Sequence, residues 1–171
     1  MGRGGRVDLR QLKAFERKLA KLAEADYKKF CEDAAKELAT RLLSKVIKRT
    51  IVADPSAWKT PVKGYVGGTL RRGWTAKTHA EAESGRGNGK NVKQFAESLT
   101  AKKVGNVYEI EVINPVEYAS YIEFGHRTSN HQGWVNGRFM MTISADEVEQ
   151  QAPAILERKL LIMLRGAFDG D

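Results

Sequence analysis

The chain has 171 residues, 42% of them hydrophobic and 29% charged, which suits one domain with a core of its own and an extended arm at most. It has no run of about 18 apolar residues, which argues against a membrane-spanning helix. Its basic start, Met1-Gly2-Arg3-Gly4-Gly5-Arg6, leads into a segment from Leu9 to Leu22 broken by charges every few residues, which is not a signal-peptide core.

The formal net charge of +8 is unevenly spread. Residues 1–50 hold 14 Lys/Arg and 7 Asp/Glu, whereas residues 51–171 hold 15 and 14. A positive field at one end suits nucleic acid, an acidic protein neighbour or a solvated helix face. No finger, homeodomain or arginine-rich block narrows that choice. The single Cys31 cannot form an internal disulfide; it fits a reducing compartment and reads as a small residue of a helix interior.

In chain order, Asp8 followed by Gln11 predicts a capped helix start. Leu12, Phe15, Leu19 and Leu22, then Tyr27, Phe30, Ala34, Leu38, Leu42 and Val46, recur three or four apart as one apolar stripe, with Lys and Arg opposite. No proline or glycine interrupts Asp8 to Thr50, so the spacing predicts a helix of about 40 residues and about 60 Å. One small core cannot cover that length. The helix either breaks near Glu24 to Lys28 or projects and packs on another subunit. The β-branched pair Ile51-Val52 before Asp54-Pro55 predicts its end near Thr50.

Residues 53–68, with two prolines and three glycines, read as a loop. Thr69 to Ala76 reads as a helical turn entering a first strand, with Trp74 in the core. Residues 78–94 are mostly polar and hold Gly85, Gly87 and Gly89, which predicts a long mobile loop. Val107 to Asn114 alternates as a strand, with Tyr108, Ile110 and Val112 on one side and Glu109 and Glu111 on the other. The turn signal Gly105-Asn106 suggests pairing with Leu99 to Val104. Asn114-Pro115 ends the strand, and Glu117 to Glu123 reads as a short helix stopped by Gly125. Phe139 to Ile143 reads as another short strand. Ser144, with Glu147 three residues on, reads as the start of a last helix, which Pro153 breaks or kinks. Its apolar face is Ile155, Leu156, Leu160, Met163, Leu164 and Phe168.

The expected fold class is α+β: a small, mainly antiparallel sheet of three or four strands packed by a long N-terminal helix and a C-terminal helix. The expected organisation is a flexible basic N-terminus over 1–8, one domain over 9–165 with the mobile loop near 78–94, and a tail over 166–171.

Catalytic and metal chemistry find little support. Gly85, Gly87 and Gly89 before Lys90 fail as a phosphate loop, because Ser84 stands five before Gly89 and Asn91 replaces the required hydroxyl. His126 and His131 have no second cysteine to complete a zinc site. Ser120 and Ser129 lack a triad context, and Glu117 and Glu123 read as solvated or salt-bridged carboxylates. No cofactor and no enzyme activity is expected.

The contact candidates are Trp58, Arg71, Arg72, Glu117, Tyr121, Glu123, Phe124 and Trp134. Large aromatics supply contact area at low entropy cost. The alternative for Tyr118, Tyr121, Trp58 and Trp134 is packing within the chain, and the expected partners of Glu117 or Glu123 are Arg71 or Arg72 of the same or a neighbouring subunit. Arg86, Lys90 and Lys93 of the polar loop are candidate contacts to DNA or a partner.

Three segments then resemble the tail-completion, or neck, proteins of long-tailed bacteriophages. They are Thr60-Pro61-Val62 followed by Gly68-Thr69-Leu70-Arg71-Arg72-Gly73-Trp74; the run from Val112-Ile113-Asn114-Pro115 through Tyr118-Ala119 to Ile122-Glu123-Phe124-Gly125-His126; and Gly137-Arg138-Phe139-Met140. The likeness covers roughly residues 9–165. His126 stands where the family often has threonine, and Met141-Thr142 where a proline soon follows. The resemblance implies a sheet packed by helices and no catalysis. It also implies a homo-oligomeric ring, commonly six-fold, around the DNA path in the virion neck or tail, after assembly in the host cytoplasm. One rim would meet the tail tube protein and the other the head-tail connector. The alternative reading is a standalone basic nucleic-acid-binding module.

Overall fold

The computed structural model describes residues 10–54, 67–85 and 91–168, with side chains from Asp26 to Arg165. Helix α1 spans Arg10–Arg49 without a break, 40 residues and about 60 Å. Of the two alternatives for so long a helix, the break near Glu24 to Lys28 does not occur, and that stretch holds neither glycine nor proline. The predicted cap at Asp8 lies outside the described residues.

The end of α1 is fixed by side chains. Thr50 Oγ1 donates to the Val46 carbonyl at 2.6 Å. Arg71 donates from Nε and Nη2 to the Thr50 carbonyl at 3.1 and 2.7 Å, placing a cation where the helix leaves its last carbonyls open.

Helix α2 (Thr69–Gly73) follows, then α3 (His79–Ser84), α4 (Val92–Ser98), strands β1 (Lys102–Val104) and β2 (Val107–Glu109), helix α5 (Ala119–Phe124), strands β3 (Gly125–Arg127) and β4 (Trp134–Asn136), and helix α6 (Met140–Phe168). The fold is α+β, as expected. Among the described residues, however, the strands form two separate antiparallel hairpins, β1–β2 and β3–β4, not one sheet.

The long helices run antiparallel. Glu147 of α6 pairs with Lys45 at 2.7 Å and with Arg49. Farther along, Lys159 pairs with Glu37 at 3.2 Å. The expected apolar stripe on α1 is corrected in detail. Ala34 and Val46 are buried, but Ala39 and Leu43 take the positions between them, with Leu42 only half-buried and Tyr27 exposed. The stripe shifts because α1 also packs against α4 and β2, so its covered face turns away from a single seam.

Leu43, Val46, Leu70, Trp74, Phe95, Val116 and Met140 form the core. Trp74 is buried as predicted, but it does not enter a strand: Trp74 to Ala76 is a turn closing α2. Its indole Nε1 donates to Thr50 Oγ1 at 2.7 Å, which gives a buried polar atom the partner it requires.

The polar segment read as a loop is helical on both flanks. Thr78 Oγ1 accepts from the Glu81 amide at 3.2 Å and caps α3, and the Glu81 carboxylate accepts from the Lys77 amide at 2.8 Å. Asn91 Oδ1 accepts from the Gln94 amide at 3.0 Å and caps α4. Both are capping-box spacings, with Glu or Gln three residues after the cap.

The Gly105-Asn106 turn forms where predicted, with Val104 opposite Val107 and Lys102 opposite Glu109. The strand expected to reach Asn114 stops at Glu109, and Leu99 to Ala101, which this register would set opposite Val112 to Ile110, form a bend and loop after α4 and not a strand. Ile110 and Val112 still pack against the core. The strand expected at Phe139 to Ile143 is instead the entry to α6, whose first turn begins at Met140. Ser144, expected as its cap, lies inside the helix and donates to the Met140 carbonyl at 2.6 Å. The helix continues through Pro153 to Phe168.

Candidate assembly surface

Asn114 begins the frame that holds the Tyr118 segment. Its Nδ2 donates to the Leu70 carbonyl at 2.9 Å, and its Oδ1 accepts from the Val116 amide at 3.2 Å. One side chain thus ties the segment to α2. Gly73 makes this approach possible, since a Cβ there would collide with the side chains of Asn114 and Val116. The motif residues around Gly73 and Asn114 are two halves of one contact.

The second half of the frame rests on Glu123. Its carboxylate, on a residue only 7% exposed, accepts from the amides of Met141 (3.0 Å) and Thr142 (2.9 Å) and from Thr142 Oγ1 (2.8 Å). These amides belong to the first turn of α6, where backbone donors lack partners and the helix dipole favours an anion. Glu123 is therefore the cap of α6, delivered from another helix. Two backbone bonds reinforce the junction, Arg138 N to the Ile122 carbonyl (2.8 Å) and Phe139 N to the Glu123 carbonyl (3.0 Å).

Gly125 ends α5 with φ +87, and a Cβ there would strike the Val135 carbonyl of β4. At the far end of the β3–β4 hairpin, Thr128 N donates to the Gly133 carbonyl at 3.0 Å and Gly133 N to Thr128 Oγ1 at 2.9 Å. Neither hairpin strand was legible in the sequence, because three-residue strands carry too few side chains to show a period of two.

On this frame Tyr121, Phe124 and Trp134 are 58 to 62% exposed, with Val135, Phe139 and Ile143 also exposed close by in the chain. Tyr121 meets His126 edge-on at 5.9 Å between ring centroids. Ile122 is turned the other way and packs against the core. Tyr118 is partly exposed.

The expected pairing of Glu117 or Glu123 with Arg71 or Arg72 is not made within the chain. Arg71 holds the end of α1, and Arg72 donates to the carbonyls of Ala82 (2.7 Å) and Gly67 (2.9 Å) and to Thr69 Oγ1 (3.3 Å). Both arginines fasten α2 to its neighbours, while Glu123 is consumed at α6. Glu117 is exposed. Lys93 is exposed on α4 and lies 3.8 Å from Glu97. Trp58, Arg86 and Lys90 lie outside the described residues.

Away from this frame, two carboxylates are held ionised. The hydrogen bond from Lys45, then that from Arg49, lowers the Glu147 pKa below the ordinary carboxylate value. The hydrogen bond from Arg41, and next that from Lys159, lowers that of Glu37. Among the described residues no group of three or more His, Cys, Asp or Glu side chains is placed to hold a metal ion.

A family model described as "Bacteriophage HK97-gp10, putative tail-component" matches residues 13–125. The matched region runs from α1 through α5 to the Gly125 turn; β3, β4 and α6 follow it. Comparison with curated proteins found no match, and neither did comparison with solved structures. With well over half of its length matched, including the Gly73–Asn114 contact and the Glu123 segment, the chain belongs to the HK97-gp10-like family of bacteriophage tail components.

Proposed function

We propose that this tail component acts at the neck of the phage particle, as a homo-oligomeric ring that completes the tail and joins it to the head connector. The role is structural, without catalysis. The observation that supports it most is the aromatic surface: Tyr121, Phe124 and Trp134 stay exposed on a frame held by Glu123 and Gly125. Side chains of this size on a locked scaffold suit a contact made with little reorganisation. In this reading Tyr121, Phe124 and Trp134, with Trp58 and Glu117, meet a neighbouring subunit or the tail tube protein. Arg86, Lys90 and Lys93 face the partner or the DNA passing through the channel. The assembled station is the virion neck, reached after assembly in the host cytoplasm.

Weak contacts between free chains gain strength on a pre-formed multivalent tail end. The test is mass measurement of the recombinant chain, alone and with purified tail tubes. A ring on the tubes is the expected result. A strict monomer in both conditions, with no tube binding, overturns the proposal. The paired variant Phe124→Ser, Trp134→Ser should melt like the parent yet fail to join tubes; unimpaired joining removes the aromatic surface from the contact. Steeply salt-dependent binding to generic duplex DNA, with no ring, would instead favour the basic nucleic-acid-binding module.

A further inference from the structure

The end of the α1–α6 pair opposite the aromatic surface carries a second unfinished contact. Leu160-Leu161-Ile162-Met163-Leu164 is five apolar residues in a row inside α6. Five successive helical residues point to every side of the helix, and a helix apolar all round is normally covered all round. Here α1 covers one side only. Met163 is half-buried, whereas Leu160, Leu161, Ile162 and Leu164 are 40 to 61% exposed.

The register of the pair shows what else is left over. Glu147 sits against Lys45 and Arg49, and Lys159 against Glu37. Carried on at the same pitch, this puts the end of α6 beside the turn around Asp26. The α1 backbone from Arg10 to Ala25, about 24 Å of helix, therefore runs past the end of its own α6. In sequence that arm repeats apolar residues at Leu12, Phe15, Leu19 and Leu22. So α1 has an apolar repeat beyond the reach of α6, and α6 has apolar sides beyond the reach of α1, at the same end of the molecule.

We propose that the α1 arm of a second copy of this chain, residues 10–25, packs along the exposed Leu160, Leu161 and Leu164 side of α6. The inference rests on the ring reading and names a contact between its subunits. The helix dipoles favour this occupant: laid antiparallel, the positive N-terminal end of the arm meets the negative C-terminal end of α6. Area explains why the contact belongs to an assembly. A stripe of three or four leucines offers a few hundred Å², short of the roughly 1,000 Å² a specific interface needs alone. In a closed ring each subunit gives one arm and receives one, and no stripe stays uncovered.

The test is disulfide trapping between full-length chains that each lack Cys31 (Cys31→Ser). One carries Leu19→Cys and the other Leu161→Cys, so a bond between the two can only be intermolecular. The chains are mixed with tail tubes, oxidised and resolved by mass, with Lys102→Cys on the β1–β2 hairpin replacing Leu161→Cys as the control. The expected result is a mixed dimer and higher ladder for the Leu19–Leu161 pair, at least tenfold above the control. Rings on tubes without that cross-link overturn the arm contact and leave the ring reading standing. No rings and no cross-link overturn both. A cross-link from Leu161→Cys to a tube protein in place of the arm shows that the tube occupies the stripe and overturns the proposal. Melting each variant first confirms that the parent fold is kept.

Discussion

Removing the carboxylate of Glu123 should weaken the fold far more than removing a surface acid. The group is buried and accepts three hydrogen bonds at 2.8 to 3.0 Å from Met141 N, Thr142 N and Thr142 Oγ1. In Glu123→Ala two amides of the first α6 turn lose their acceptor. Loss of a helix cap costs about 0.5 to 2 kcal/mol, and hydrogen bonds to a charged group are worth about 1.5 to 3 kcal/mol each, not additively. A total near 3 kcal/mol follows, with water entering the opened site to satisfy part of the loss. Glu123→Gln keeps one acceptor and the side-chain volume, and should lose about half as much. Urea unfolding followed by tryptophan fluorescence reads both, because Trp74 lies in the core. The m-value should stay constant, since the surface exposed on unfolding is unchanged. If Glu123→Ala melts within about 0.5 kcal/mol of the parent, below any cap loss expected here, Glu123 is not the cap of α6 and the account of the aromatic frame falls with it.

Three further outcomes are expected. Trp74→Ala should cost about 3 to 5 kcal/mol in the same melt, from the cavity and the lost indole hydrogen bond to Thr50 Oγ1; a loss below about 1 kcal/mol would contradict its core placement. Gly73→Ala should destabilise by more than about 1 kcal/mol, because its Cβ meets Asn114 and Val116, whereas Gly105→Ala, with open space around the Cβ position, should bear only the strain of φ +62. Glu147 and Glu37 have lowered pKa values in the fold, so their ion pairs contribute fully above the ordinary carboxylate value of 4.5 and lose that contribution as pH falls below it. Glu147→Gln should therefore flatten stability against pH in that acid range and leave it unchanged in shape near neutrality; an unaltered acid limb would show that the α1–α6 ion pairs do not couple to folding.

Local chemistry made much of the chain readable. Helix α1, Arg10–Arg49, shows in the sequence because its apolar spacing runs for many turns without a breaker, and its stop before Ile51-Val52 and Asp54-Pro55 is a backbone preference that needs no tertiary partner. The Gly105-Asn106 hairpin, the Gly125 stop and the burial of Trp74 were visible for similar reasons. The capping boxes Thr78 to Glu81 and Asn91 to Gln94 were equally local, and were masked only by the glycines between them.

What tertiary structure decided are the contacts between residues far apart in the chain. Glu123 reads as a surface acid because the amides it caps lie 18 and 19 positions later, beyond a hairpin whose strands are too short to show a period. Phe139 to Ile143 has the composition of a strand and is a helix start because that distant carboxylate satisfies its free amides. Arg71 and Arg72 look like surface charges seeking carboxylates, but their nearest acceptors are main-chain carbonyls that only folding brings to them. Periodicity and turn chemistry act within a few residues and survive in the sequence. The identity of a buried group's hydrogen-bond partner depends on which elements pack together, and it exists only once they have.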